Sequence, residues 1–313
     1  MNIVFLDAAT MGPMELREVF GALGDYRQYD HTDADQVADR ARGAEIIITN
    51  KVKIGAEIFE RYPEIRLVCV AATGTDHIDM ESAERHGVKV KNVKGYSTDS
   101  VAQQTFALML NLLNHVGYYD RYVKSPTGYA RSEMFSCFDR QVYELKGKTV
   151  GIIGLGEIGK KVADICQFMG AGVLYYSTSG QNTRAGYHRV ALDELLRDSD
   201  IVSIHAPLND QTRRLITYER LEAMRPHALL INTGRGGIVD EQDLARALDN
   251  DLIAGAALDV FEREPIRADN PLLSVKRPDK LLLSPHIAWA SVEARRTLLE
   301  GVVRNIEEFF GNK

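Results

Sequence analysis

Short apolar runs alternate with amphipathic stretches from the first residue onward, the pattern of βαβ units on a mainly parallel sheet. The spacing predicts strands over residues 3–6, 45–49, 67–71 and 88–91, with helical spacing or helix-start signals at 13–21, 35–42 and 80–86. A second series of strands falls at 150–153, 172–176, 201–205, 228–232, 254–258 and 281–284. Between the two series lies a long helical stretch, 99–119, rich in Ala, Leu and Met, and another helix closes the sequence at 291–309. Because the last strand precedes that final helix, the chain is expected to return to its first domain. The expectation is an α/β protein with two doubly wound parallel-sheet domains and an active-site cleft between them. The first is discontinuous, residues 1–98 plus 288–313, and the second is contiguous, 99–287.

The apolar strand ending at Ile153 runs directly into Gly154-Leu155-Gly156-Glu157-Ile158-Gly159, followed by an amphipathic helix. Strand, GxGxxG turn and helix form the context of a dinucleotide site. Gly154 permits the tight turn, Gly156 lets backbone approach a diphosphate, and Gly159 allows close helix–strand packing. The helix N-terminus offers N–H groups and the positive end of its dipole to the diphosphate. The contiguous domain is thus expected to be a Rossmann cofactor domain and the discontinuous one a flavodoxin-like substrate domain. NAD or NADP is the expected cofactor. Strand 172–176 ends in Ser177-Thr178-Ser179-Gly180, with Arg184 soon after, where an acid usually bonds the adenosine ribose. Without that acid a 2′-phosphate meets no repulsion, so NADPH is acceptable or preferred. The other reading is that Ser177 and its neighbours bond the ribose of NAD.

Composition narrows this little. The 313 residues suffice for two domains, and 26% charged with 45% hydrophobic residues is ordinary globular composition. A net charge of -6 with scattered Lys and Arg disfavours a nucleic-acid or anionic-membrane partner. No apolar run approaches the ~18–20 residues that span a bilayer. The N-terminus reads as a strand, not a signal peptide. Cys69, Cys137 and Cys166 suit reduced thiols of a cytoplasmic protein. No histidine pair has metal-ligand spacing, so no metal is expected.

Three more segments follow predicted strands: Asn232-Thr233-Gly234-Arg235-Gly236-Gly237-Ile238-Val239-Asp240, Leu258-Asp259-Val260-Phe261-Glu262-Arg263-Glu264-Pro265 and Ser284-Pro285-His286-Ile287-Ala288-Trp289-Ala290. Ligands of open parallel sheets bind beyond the carboxyl ends of strands, so all three can converge on one crevice. Singly, His286 is as well read as a strand-end histidine on backbone, Glu264 as a solvated acid and Arg235 as a surface charge. Their joint placement behind a dinucleotide turn favours chemistry.

These ordered motifs, GLGEIG, NTGRGGIVD, LDVFEREP and SPHIAWA, resemble the D-isomer-specific 2-hydroxyacid dehydrogenase family over nearly the whole chain. The resemblance implies Arg235, Glu264 and His286 as the catalytic set and Asp259 as a residue near the nicotinamide. It also implies that Thr73 and Gly74 hold the substrate carboxylate through backbone N–H groups. Expected cofactor contacts are the turn from Gly154 to Gly159 together with Thr105, Ser177, Thr178, His205, Ala206, Pro207, Thr233, Gly234, Asp259 and Ala288. Expected substrate contacts are Asn50, Ala72, Thr73, Gly74, Arg235, His286 and Trp289, although Trp289 reads equally as a core residue. Ketone reduction by hydride develops negative charge on oxygen, and a histidine, with a reference pKa of about 6.5, can protonate it near neutral pH. Glu264 would orient the ring and favour its protonated form, while Arg235 would fork onto the carboxylate and polarise the carbonyl.

Thr49-Asn50-Lys51, Ala71-Ala72-Thr73-Gly74, Gly95-Tyr96-Ser97-Thr98-Asp99-Ser100-Val101-Ala102-Gln103-Gln104-Thr105-Phe106-Ala107 and His286-Ile287-Ala288-Trp289-Ala290 look most like the glycerate dehydrogenase and hydroxypyruvate reductase branch. Glutamate at 264 argues against the formate dehydrogenase branch, and no further regulatory domain is expected. Hydroxypyruvate or glyoxylate is the first choice of substrate, ahead of pyruvate or a branched keto acid. A rival reading is a non-catalytic NAD(H) sensor. A homodimer is expected, with the aromatic, irregular stretch 118–138 as an arm across the partner.

Overall fold

The computed structural model describes residues 1–181 and 186–311, so Arg184 lies outside the described residues. The chain forms two compact units, Met1–Ser97 with Ser291–Lys313, and Thr98–Ala290.

In the first unit, β1 (Asn2–Phe5), β2 (Asp25–Gln28), β3 (Ile46–Thr49), β4 (Leu67–Val70) and β5 (Lys89–Asn92) alternate with short helices. The helices are α1 (Leu16–Gly21), α2 (Val37–Ala41), α3 (Ala56–Arg61) and α4 (Met80–Arg85). All strands are parallel, in the order β2-β1-β3-β4-β5, which is the flavodoxin-like arrangement. The central strands β3 and β4 are buried along their whole length, as sheets covered on both faces require. Val4, Ile47, Val68 and Val70 pack on Ile58 and Phe59 of α3. Strand β2, Asp-Tyr-Arg-Gln, has no apolar run to announce it; it forms because Asn2–Phe5 offers it a parallel edge.

The second unit opens with α5 (Thr98–Asn114) and α6 (Val116–Lys124). One helix over 99–119 was expected; instead His115 takes φ 51°, a left-handed conformation that ends α5 and starts α6. The stretch expected to be irregular from 118 is accordingly helical as far as Lys124. Strands β6 (Thr149–Ile153), β7 (Gly172–Tyr176), β8 (His188–Arg189), β9 (Ile201–Ile204), β10 (Leu229–Asn232), β11 (Gly255–Leu258) and β12 (Leu281–Leu283) form a parallel sheet. Its order is β12-β11-β10-β9-β6-β7-β8. Helices α7 (Glu157–Phe168), α8 (Leu192–Asp198), α9 (Tyr218–Glu222) and α10 (Glu241–Asp249) complete it, and α11 (Val292–Gly311) returns to the first unit. Successive residues of each strand point to opposite faces, which splits the core into two layers. Val150, Ile152 and Ile231 meet Met109 of α5 and Val162 of α7, while Ile153, Val202 and Leu230 meet Leu195 of α8 and Leu244 of α10. Strand order reverses between β6 and β9, and the ends of these strands flank the crevice that doubly wound sheets use for ligands.

Candidate active site

The turn after β6 sits at that switch point. Gly154 has φ 92°, which only glycine adopts readily, and its N–H donates to the Tyr176 carbonyl at the end of β7 (3.0 Å). A Cβ on Gly159 would lie 2.2 Å from the Gly154 carbonyl oxygen, so α7 can approach the turn only with glycine there. Space beside Gly156 is open. With the N-terminus of a twelve-residue helix behind it, this cradle fits a dinucleotide diphosphate. Leu155 is buried; Glu157 is exposed and Ile158 half-buried. Ser177, buried at the end of β7, accepts at its carbonyl from Gly180 N–H (3.1 Å), closing the turn that includes Thr178. No carboxylate belongs to that turn. Arg189 of β8 places Nη2 4.0 Å from where a Gly180 Cβ would stand.

Across the crevice, His205 N–H donates to Ile153 O (2.8 Å), aligning His205, Ala206 and Pro207 beside the glycine turn. The His205 ring is engaged inward, with Nε2 2.9 Å from Ser203 Oγ and Nδ1 3.4 Å from Thr233 Oγ1. Thr233 Oγ1 in turn meets Thr105 Oγ1 (2.9 Å), which donates to Val101 O (2.8 Å). Burial lowers the His205 pKa to about 3, so the ring is neutral and serves as a hydrogen-bond link. Three expected cofactor contacts, Thr105, His205 and Thr233, thus share one polar network through their side chains.

Arg235, Glu264 and His286 leave the carboxyl ends of three adjacent strands, β10, β11 and β12. The Asn232 side chain holds the first loop: Oδ1 accepts from Gly234 N–H (3.0 Å) and Nδ2 donates to the Arg235 carbonyl (2.9 Å). Arg235 Nη1 donates to Gly234 O (2.9 Å). Glu264 uses both oxygens, Oε1 accepting from Phe261 N–H (3.0 Å) and Oε2 lying 2.6 Å from His286 Nδ1. Nδ1 is therefore the donor, and Nε2 is left to exchange a proton. The His286 side chain keeps 23% of its exposure, so the ring is within reach of a small ligand.

His286 has φ 54°, a conformation that costs an L-residue roughly 1–2 kcal/mol. Asp259 holds it there. Its carboxylate, fully buried, accepts from Ser284 Oγ (2.5 Å), Ile287 N–H (3.1 Å) and Ala288 N–H (2.8 Å), and its carbonyl accepts from His286 N–H (2.8 Å). Burial raises the Asp259 carboxyl above the usual carboxylate range, opposed by these donors and by the His286 charge. Ala288, an expected cofactor contact, also accepts at its carbonyl from Ser100 Oγ (2.6 Å), while Trp289 is half-buried.

The expected substrate contacts of the first unit occupy neighbouring strand ends. Asn50 follows β3, and its N–H donates to the Asp7 carboxylate (2.8 Å), as does Lys51 N–H (2.6 Å). Desolvation raises the Asp7 carboxyl, and the Asn50 and Lys51 N–H groups oppose the shift. Ala72, Thr73 and Gly74 follow β4, with Thr73 Oγ1 donating to Val93 O (3.1 Å). Asp7, Asn232 and Ser284 did not figure among the expected site residues. All three are polar residues at or just past the carboxyl end of a buried strand, a signal present in the sequence.

Among the described residues, no group of three His, Cys, Asp or Glu could hold a metal, and no helix is long and apolar enough to cross a membrane. Residues 106–288 match the family model of the NAD-binding domain of D-isomer-specific 2-hydroxyacid dehydrogenases. The chain is 39% identical to a hydroxypyruvate reductase of Blautia hydrogenotrophica, covering 99% of this chain and 97% of that one. It is 36% identical to a glycerate dehydrogenase of Methylorubrum extorquens, covering 100% and 97%. Among solved structures, an NADPH-dependent glyoxylate/hydroxypyruvate reductase of Sinorhizobium meliloti superposes with a TM-score of 0.83 at 28% identity, covering 99% and 95%. With that likeness, the chain belongs to the D-isomer-specific 2-hydroxyacid dehydrogenase family, and its larger unit carries the NAD(P)-binding fold.

Proposed function

We propose that the chain is an NAD(P)H-dependent reductase of hydroxypyruvate and glyoxylate, forming D-glycerate and glycolate, or the reverse. The observation that carries the reading is the 2.6 Å contact of Glu264 Oε2 with His286 Nδ1, on the strand ends next to the Arg235 loop. The names of the relatives supply the substrate class.

A bound nicotinamide supplies hydride to the carbonyl carbon. The residues of the chain do the rest. His286 gives its Nε2 proton to the oxygen as charge develops there, and Glu264 fixes the tautomer by holding Nδ1–H. Arg235 presents a permanent charge and two aligned donors to the substrate's carboxylate and carbonyl. Asp259 keeps the His286 turn in place. In the smaller unit the turn Ala72-Thr73-Gly74, with Asn50 on the neighbouring strand end, is the proposed carboxylate cradle, and Trp289 a proposed wall residue. Cytoplasmic residence suits Cys69 and Cys166, buried free thiols whose pKa values burial pushes up to about 12.

NADPH is the proposed preferred cofactor, supported by Ser177, Thr178 and the Arg189 guanidinium in place of an acid. Steady-state rates with two cofactors against six 2-keto acids test both points. Hydroxypyruvate and glyoxylate should lead, and NADPH should exceed NADH in kcat/KM by about tenfold, the worth of one charge-assisted hydrogen bond. Ser177→Asp should reverse the preference. Binding of NADPH without turnover of any keto acid would favour a sensor, and a strong NADH preference would remove the cofactor assignment.

We further infer a homodimer through the larger unit. Phe135 and Phe138, in the stretch 118–138, are 87% and 82% exposed, beside exposed Met134 and Tyr129, an apolar surface suited to a second copy. Light scattering should return twice the mass of one chain, and Phe135→Asp with Phe138→Asp should halve it. A monomeric parent chain would refute the arm.

A further inference from the structure

The segment 261–270, which carries Glu264, contains no strand or helix of its own, so side chains must hold it. One carboxylate does so at both ends. Glu241 Oε1 accepts from Glu262 N–H (2.6 Å), and Oε2 accepts from Asn270 Nδ2 (2.5 Å). Glu241 is only 8% exposed, and as the first residue of α10 it stands where the helix dipole favours negative charge. The same peptide is gripped from its other side: a Cβ on Gly236 would lie 1.8 Å from Phe261 O, so the Arg235 loop and the Glu264 loop meet backbone to backbone.

From these contacts we infer that Glu241 is a positioning residue for the proton-transfer pair, an inference that rests on the proposed Glu264–His286 reading. The link is short. Glu241 fixes the Phe261–Glu262 peptide, Phe261 N–H fixes Glu264 Oε1, and Glu264 Oε2 meets His286 Nδ1. A carboxylate is needed rather than an amide. Asn270 Oδ1 already accepts from Leu272 N–H (3.0 Å), which commits the Asn270 amino group toward residue 241. Glutamine at 241 could still accept from Glu262 but would set a donor against that amino group.

The test compares Glu241→Gln, Asn270→Ala and Glu264→Gln by the pH profile of kcat/KM for hydroxypyruvate reduction, with the NADPH dissociation constant and near-UV circular dichroism alongside. Of the charged groups around His286, the Glu264 carboxylate meets its ring and the Asp259 carboxylate feels its charge. Reduction uses a proton from the imidazole, so Glu264→Gln sets the reference change in the pH profile against which loosening of Glu264 through residue 241 is read. Glu241→Gln should lower kcat/KM about tenfold, the usual worth of a charge-assisted hydrogen bond, with the same direction of movement as Glu264→Gln. NADPH affinity should hold within about twofold of the parent, because the Glu241 carboxylate is engaged with Glu262 and Asn270. Added to Glu264→Gln, it should cost nothing further, a non-additivity that a merely structural residue would not show. If Glu241→Gln does not fold, Asn270→Ala removes the opposite link of the same carboxylate and decides the matter. A pH profile moved by Glu264→Gln but not by these two variants overturns the anchor alone. A Glu264→Gln variant with unchanged turnover and profile overturns the acid–imidazole pair, and the anchor with it.

Discussion

Replacing His286 by asparagine is expected to lower kcat by roughly three orders of magnitude, within the range a general acid contributes, while NADPH still binds within about threefold of its original affinity. Asparagine is the informative substitution because position 286 has φ 54°, and Asn enters that region with less strain than alanine. The Asp259 clamp on Ile287 and Ala288 uses backbone N–H groups and survives the change. Loss of activity can then be read as loss of the proton donor, not collapse of the turn. Stopped-flow hydride transfer and fluorescence titration of NADPH separate the two effects. Turnover within tenfold of the parent would show that another group supplies the proton.

The parts of this molecule that could be read from the sequence are those whose causes are local. An apolar run into GLGEIG and then an amphipathic helix is strand, turn and helix by adjacency alone, and β6 and α7 are found there. Strand β8 is two exposed residues, His188 and Arg189, and exists only because β7 offers it an edge. The break at His115 depends on one backbone angle, and the helical spacing of 99–119 passes over it. In the site, Arg235, Glu264 and His286 stand out by residue type in ordered motifs. Their supports do not. Asp7 reaches Asn50 only because β1 pairs with β3, and Asp259 reaches Ser284 only because β11 pairs with β12. Such pairings join residues 43 and 25 positions apart, beyond any local pattern. A buried carboxylate beside a strand end is visible in one dimension as an acid after an apolar run; what it holds is visible only in three.

Substituting lysine for Arg235 is expected to cut kcat/KM for hydroxypyruvate by about 30-fold or more, because one of the two charge-assisted bonds of the guanidinium fork is lost. The loss should be shared between KM and kcat, since the bond to the carboxylate is the same before and during hydride transfer whereas the bond to the carbonyl oxygen strengthens as charge develops there. Alanine should cost further, by about another tenfold, because the charge goes as well as the fork. The loop itself is not at stake. Asn232 grips the Gly234 N–H and the Arg235 carbonyl, both of them backbone groups, so the neighbouring cofactor contacts keep their places whatever side chain stands at 235. NADPH affinity should therefore be unchanged in both variants, and the hydroxypyruvate concentration dependence should carry the effect. The contrast with His286→Asn is then one of kinetic constant: a missing acid slows the bound complex alone, whereas a missing fork also weakens its formation. Lysine at 235 with kcat/KM within threefold of the parent would mean that the guanidinium does not face the substrate.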